Sequence, residues 1–259
     1  MALTPTVTPS GEDYNAYAVS KDQVATFDGQ PRRDPSLTRT IEAAAYLPDR
    51  SVSESSFTVP ATPTFETCAS AFAQGTLIST VMGPIPVEDL IPGDLVQTHR
   101  GPEPLLWKGS TSYLPNSASG STSLTHLLRL PGDGLDQGDL LLGPAARLVI
   151  RQEKFAELLN CDAVLAPASE YVDGDRILRI TPPGAVRLYH LALRRHGILR
   201  ANGHELESYH PGRVSETEIG APARAMLLKM FEHVTDLDGF GGLALPRSSR
   251  DVIDTLRAA

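Results

Sequence analysis

Between residues 65 and 214 the chain is cut into short apolar runs, each of strand length and most bounded by Gly, Pro, Asn or Asp. The runs are 75–80, 85–87, 94–98, 105–108, 124–130, 139–142, 146–151, 176–180, 186–193 and 198–201. Segments this short, separated by turn residues, cannot form long helices. They predict an all-β fold of many short strands. Pro92-Gly93-Asp94 and Ala201-Asn202-Gly203 are the strongest turn signals. Asp173-Gly174-Asp175 predicts a hairpin turn between Tyr171-Val172 and Arg176-Ile177 rather than a calcium loop, because the ligand pattern does not continue.

Helical patterning interrupts the block once. Residues 152–159 combine good helix formers with an apolar face at Phe155, Leu158 and Leu159, and residues 168–172 suit a helical turn. The flanks read differently. Residues 1–64 are rich in Thr, Ser and Pro and predict an irregular arm or linker, with a small appended β-unit as the alternative. Residues 215–259 carry two capped amphipathic patterns, 223–233 and 248–258, expected as tail helices that pack on the β body or on a partner. The division expected is therefore an arm at 1–64, a β domain at 65–214 and a helical tail at 215–259.

A net charge of −8 argues against a nucleic-acid footprint, since backbone phosphates need a basic patch. No run approaches the roughly 20 apolar residues of a membrane helix, and Met1 to Asp13 has no secretory pattern. A cytoplasmic location without membrane association is the expectation. Gly239 to Gly242 follows no buried strand, so a nucleotide loop is not expected, and no Gly-x-Ser-x-Gly elbow occurs. Of the seven histidines, His204 and His210 are spaced to meet across a turn, but no metal-ligand spacing is present. No metal or cofactor is expected. The two cysteines, Cys68 and Cys161, lack any motif that would supply a base; Cys161 reads as buried packing.

One constellation carries chemistry. Ala71-Phe72-Ala73-Gln74-Gly75-Thr76, Val87-Glu88-Asp89-Leu90 and Gly93-Asp94-Leu95-Val96 resemble the opening of Hint domains, the self-processing module shared by hedgehog proteins and inteins. Leu105 to Gly109, Leu188 to Leu193 and His196 through Gly212 resemble the bacterial stand-alone type of that family. The resemblance implies a horseshoe-like β disc and an N-to-S acyl shift. In that chemistry a Cys attacks the preceding carbonyl, a Thr/Ser-Pro-x-His motif polarises the bond, and a late His, Asn and nucleophile complete the transfer in splicing members.

This sequence departs from the pattern at the positions that matter. Ala71 stands at the Cys position, and Gly143-Pro144-Ala145-Ala146 at the second motif, with Gly143 for the hydroxyl and Ala146 for the imidazole. His196, Asn202 and Ser208 remain at the end of the domain. The expectation is a Hint-like protein that has lost autocatalysis. Two alternatives stay open: an active protein using Ser70, Cys68 or Ser208, and an interaction module that docks an unidentified protein through residues 1–64.

Overall fold

The computed structural model describes residues 37–115, 124–132, 138–212 and 220–258. The chain opens with β1 (Thr38–Tyr46) and β2 (Val52–Pro60), then α1 (Pro63–Glu66) and a 3-10 turn at Thr67–Ala69. Short strands follow: β3 (Phe72–Ala73), β4 (Leu77–Thr80), β5 (Gly83–Pro86), β6 (Leu95–Thr98), then the long β7 (Gly101–Tyr113). Next come β8 (Leu127–Leu130), β9 (Leu140–Leu142), β10 (Arg147–Arg151), α2 (Glu153–Leu159) and β11 (Ala163–Pro167). The body closes with β12 (Leu178–Ile180), β13 (Val186–Leu193), β14 (Ile198–Ala201) and β15 (His204–Glu207). Two tail helices, α3 (Ala221–Lys229) and α4 (Arg250–Ala258), flank a 3-10 turn at Leu237–Phe240.

The fold is all-β, an open antiparallel arrangement in the order β11-β10-β15-β14-β4-β6-β7-β13-β3-β9-β8-β12. Strand β7 joins its two halves. Its first residues pair with β6 (Leu95↔Pro104), while its later ones pair with β13 along Val186↔Tyr113 to Leu191↔Lys108. Trp107 lies at the centre of β7 with no exposure, and its ring lies against Gly109, where a β-carbon would collide with the indole. Only glycine leaves room for the ring there.

Within the segment expected as an irregular arm or a small appended β-unit, residues 38–60 form a regular hairpin in full register from Thr38↔Pro60 to Tyr46↔Val52; residues 1–36 of that segment lie outside the described residues. The physical reason is a period-2 stripe, Ile41, Ala43 and Ala45, turned inward while their neighbours face out. Strand β1 also pairs with β7 (Glu42↔Ser110, Ala45↔Trp107). One buried cluster therefore contains Ile41, Val59, Phe65, Trp107, Tyr209 and Phe231, from all three expected segments.

The corrections are local. Tyr171 ends a 3-10 turn and β12 starts only at Leu178, so Asp173-Gly174-Asp175 does not close a hairpin. Asp173 Oδ1 instead accepts the backbone N–H groups of Asp175, Arg176 and Ile177. Cys161 is half-buried rather than buried, and packs at the edge of the Phe155 and Ile253 cluster. Among the described residues no helix is long and apolar enough to cross a membrane.

Candidate functional site

The 3-10 turn at Thr67–Ala69 delivers the chain to the Ser70–Ala71 peptide just before β3. Three backbone hydrogen bonds hold the chain here, two on that peptide and one on the next. The Ala71 N–H donates to the Tyr189 carbonyl (2.9 Å), the Gly143 N–H to the Ala71 carbonyl (2.9 Å), and the Ala145 N–H to the Ser70 carbonyl (3.1 Å). An amide N–H on a carbonyl is the kind of donor that stabilises a developing oxyanion. Ala71 and Ala146 are methyl groups of one buried apolar cluster, with Leu142 and Tyr189. Gly143 presses on the same bond: a β-carbon there would collide with the Ser70 carbonyl oxygen and lie 2.9 Å from its carbon.

The family model described as a Hint domain matches residues 70–213. The chain belongs to the Hint-domain family. The bacterial intein-like domain from Clostridium thermocellum is 14% identical with a TM-score of 0.38, covering 54% of this chain and 99% of its own length. The gp41-1 intein is 12% identical with a TM-score of 0.34, over 54% of this chain and 99% of its own. No curated protein matches the chain.

The three polar residues at the end of this Hint domain are engaged by their surroundings. Asn202 forms the β14–β15 turn with Gly203, both at positive φ (45° and 83°). Its Oδ1 accepts the Leu77 N–H (2.7 Å) and its Nδ2 donates to the Gly138 carbonyl (2.8 Å). Ser208 Oγ accepts the Gly197 N–H at 3.0 Å, fixing the loop before β14. His196 Nδ1 accepts the Ala244 N–H (2.8 Å), while Nε2 lies 3.0 Å from Glu207 Oε1. Among the described residues none of the three is hydrogen-bonded to the Ser70–Ala71 peptide.

The other candidates separate. Cys68 is buried, its thiol donates to the Phe65 carbonyl, and burial pushes its pKa well up. Ser70 is buried too, but its Oγ has no partner among the described residues. His204 and His210 do not meet. His204 reaches the Pro131 carbonyl, and His210 instead stacks edge-on with His196, ring centres 5.1 Å apart. Among the described residues no group of His, Cys, Asp and Glu is arranged to hold a metal.

His190 is the residue that sequence reasoning missed. It lies on β13 next to Tyr189, whose carbonyl receives the Ala71 N–H, and is flanked edge-on by Phe72 and Tyr209 at 5.9 and 5.3 Å. Its Nδ1 bonds the Thr67 carbonyl at 2.8 Å, and Nε2 has no partner among the described residues. Burial pulls its pKa down to about 4, leaving a neutral imidazole. The signal available was a lone imidazole inside the otherwise apolar and aromatic run Leu188 to Leu193.

The tail reaches this region. Arg247 Nε donates to Glu207 Oε1 (2.8 Å) and Nη2 to the His210 carbonyl (2.7 Å), while His210 Nε2 bonds the Gly241 carbonyl (2.9 Å). Arg247 is held in place because the Leu165 N–H donates to the Pro246 carbonyl and the Ser248 N–H to the Leu165 carbonyl, each at 2.8 Å.

Proposed function

We propose that this Hint-domain protein no longer cuts its own chain and works as a protein-interaction scaffold. The observation that carries the reading is the pairing of Ala71 and Ala146 as methyl groups in one buried cluster, at the positions of the family's nucleophile and imidazole. An acyl shift needs a covalent nucleophile beside the scissile carbonyl, and neighbouring groups cannot replace that step. The Gly143 loop, seated against the Ser70 carbonyl, supports the same reading, because the hydroxyl residue of the motif would not fit there.

Denaturing intact mass of the purified protein tests it: the full 259-residue mass is expected. A mass corresponding to a cut before Ala71 would overturn the reading. Restoring Ala71→Cys and Ala146→His together is expected to leave the chain intact, since the Gly143 loop still crowds the bond. Cleavage by the double variant would mean that the scaffold has kept its competence.

A second reading keeps activity, with Ser70 as nucleophile. The unpartnered, buried Ser70 Oγ favours it. This reading requires a cut before Ser70 rather than before Ala71, a difference of one serine in mass. Cys68 and Ser208 are disfavoured by their existing hydrogen bonds.

A further inference from the structure

A cavity of about 160 Å³ is walled by Ala145, whose N–H holds the Ser70 carbonyl, and by Arg147, His190, Glu207, Tyr209 and Arg247. Pockets for drug-sized ligands run to roughly 300–1,000 Å³, so any occupant of this one is small. Its charges do not balance locally. Two guanidiniums, Arg147 and Arg247, share the one buried carboxylate of Glu207, and their unequal contacts decide which is satisfied. Arg247 is bonded to Glu207 at 2.8 Å and to the His210 carbonyl at 2.7 Å. Arg147 approaches Glu207 only through Nε at 3.5 Å, and its terminal amino groups have no hydrogen-bond partner among the described residues. Glu170, the other acid acting on Arg147, keeps its charge but is no part of the wall, and its carboxylate accepts the Arg250 backbone N–H at 2.6 Å.

We infer that this cavity binds a small monocarboxylate, its oxygens bridging the free edge of the Arg147 guanidinium. Planar guanidinium edges match carboxylates in a two-point fork. The wall carries two guanidiniums and one carboxylate, so a monoanion suits it better than a dianion. The rest of the wall includes Pro144, Pro167 and Pro211, which offer a short carbon chain an apolar surface that inorganic phosphate cannot use. Burial and the neighbouring Arg247 also pull Arg147 below its ordinary pKa, as expected of a charge short of partners. The inference rests on the scaffold reading and names the ligand class of that same site. The carboxylate belongs either to a free acid or to the C-terminus of a peptide chain.

Titration of the full chain, followed through arginine and histidine side-chain NMR signals, tests this with four probes. These are butyrate, inorganic phosphate, and a short peptide ending in either a free carboxylate or an amide. Saturable shifts at Arg147 with butyrate or the acid-ended peptide are expected, with phosphate weaker and the amide silent. Butyrate alone would assign a free acid, and the acid-ended peptide alone a chain terminus. Arg147→Gln removes the charged fork and should weaken binding at least about tenfold; Arg147→Lys, which keeps the charge without the fork, should also weaken it. Equal binding of phosphate or of the amide, or binding unchanged in both variants, overturns the inference. So does the absence of saturation. The mass of the chain recorded in the same sample decides the scaffold reading separately, since a ligand-free but uncut protein fails only the inference.

Discussion

Gly143 has no side chain because the Ser70 carbonyl occupies the place where its β-carbon would stand. The Gly143–Ala145 segment thus grips the Ser70 carbonyl through the Ala145 N–H and the Ala71 carbonyl through the Gly143 N–H, and closes on the bond between them. Gly143→Ser should therefore destabilise the fold by about 1–3 kcal/mol, the usual cost of forcing atoms into a packed interior. Urea unfolding of the variant against the parent measures it. An unchanged midpoint would mean that the loop moves freely away from the bond.

Acid should loosen the protein well before its carboxylates titrate. His190 and His233 are both held down to about 4 by burial. A lowered histidine pKa means that the unfolded chain binds the proton more readily. The stability these residues contribute is complete above about pH 6.5 and is lost as pH falls toward 4. For His190 the loss at pH 4 is about 3 kcal/mol. His190→Gln should flatten the stability profile in that window, as measured by denaturation at a series of pH values.

Glu207 titrates in a lower window. Burial works against its charged form, but His196 and Arg247 outweigh it and hold its pKa below the usual carboxylate value. Its contribution is present above about pH 4.5 and lost as pH falls further. Arg247→Gln removes a charged partner and should cost about 2 kcal/mol. It should also speed amide exchange at Ala244 and at Ser248, where the tail meets His196 and β11.

The two cysteines should differ in reactivity. Cys68 is fully buried with its thiol bonded to Phe65, whereas Cys161 is half-buried. A thiol reagent should modify Cys161 alone in the native protein, and both once denaturant is added. Rapid native modification of Cys68 would contradict the packing around Trp107.

Much of the β body was legible because its apolar runs are short and punctuated, as at Leu95 to Thr98 and Val186 to Leu193. Strand β11 was not, since Ala163 to Ala166 is buried on both faces and shows no alternation to read. The first hairpin hid behind its composition. Ile41, Ala43 and Ala45 form the inward stripe, but alanine is a weak strand signal and the partner strand carries three serines and buries only Val59. At the site, Ala71, Gly143 and Ala146 were placed by motif. The contacts of Gly241, Ala244 and Arg247 were invisible because they join residues 31 to 48 positions apart through the fold alone.

The register of β1 on β7 changes what a broken 70–71 bond would mean. The residues before that bond supply a hairpin to the sheet and Ile41, Val59, Phe65 and Cys68 to the core around Trp107. A nick there would release nothing; the two pieces would stay clasped, separable only in denaturant. The same geometry makes this a natural split protein. Residues 1–70 and 71–259, produced separately, should find one another and rebuild the environment of the single tryptophan, so that its fluorescence reports the reunion.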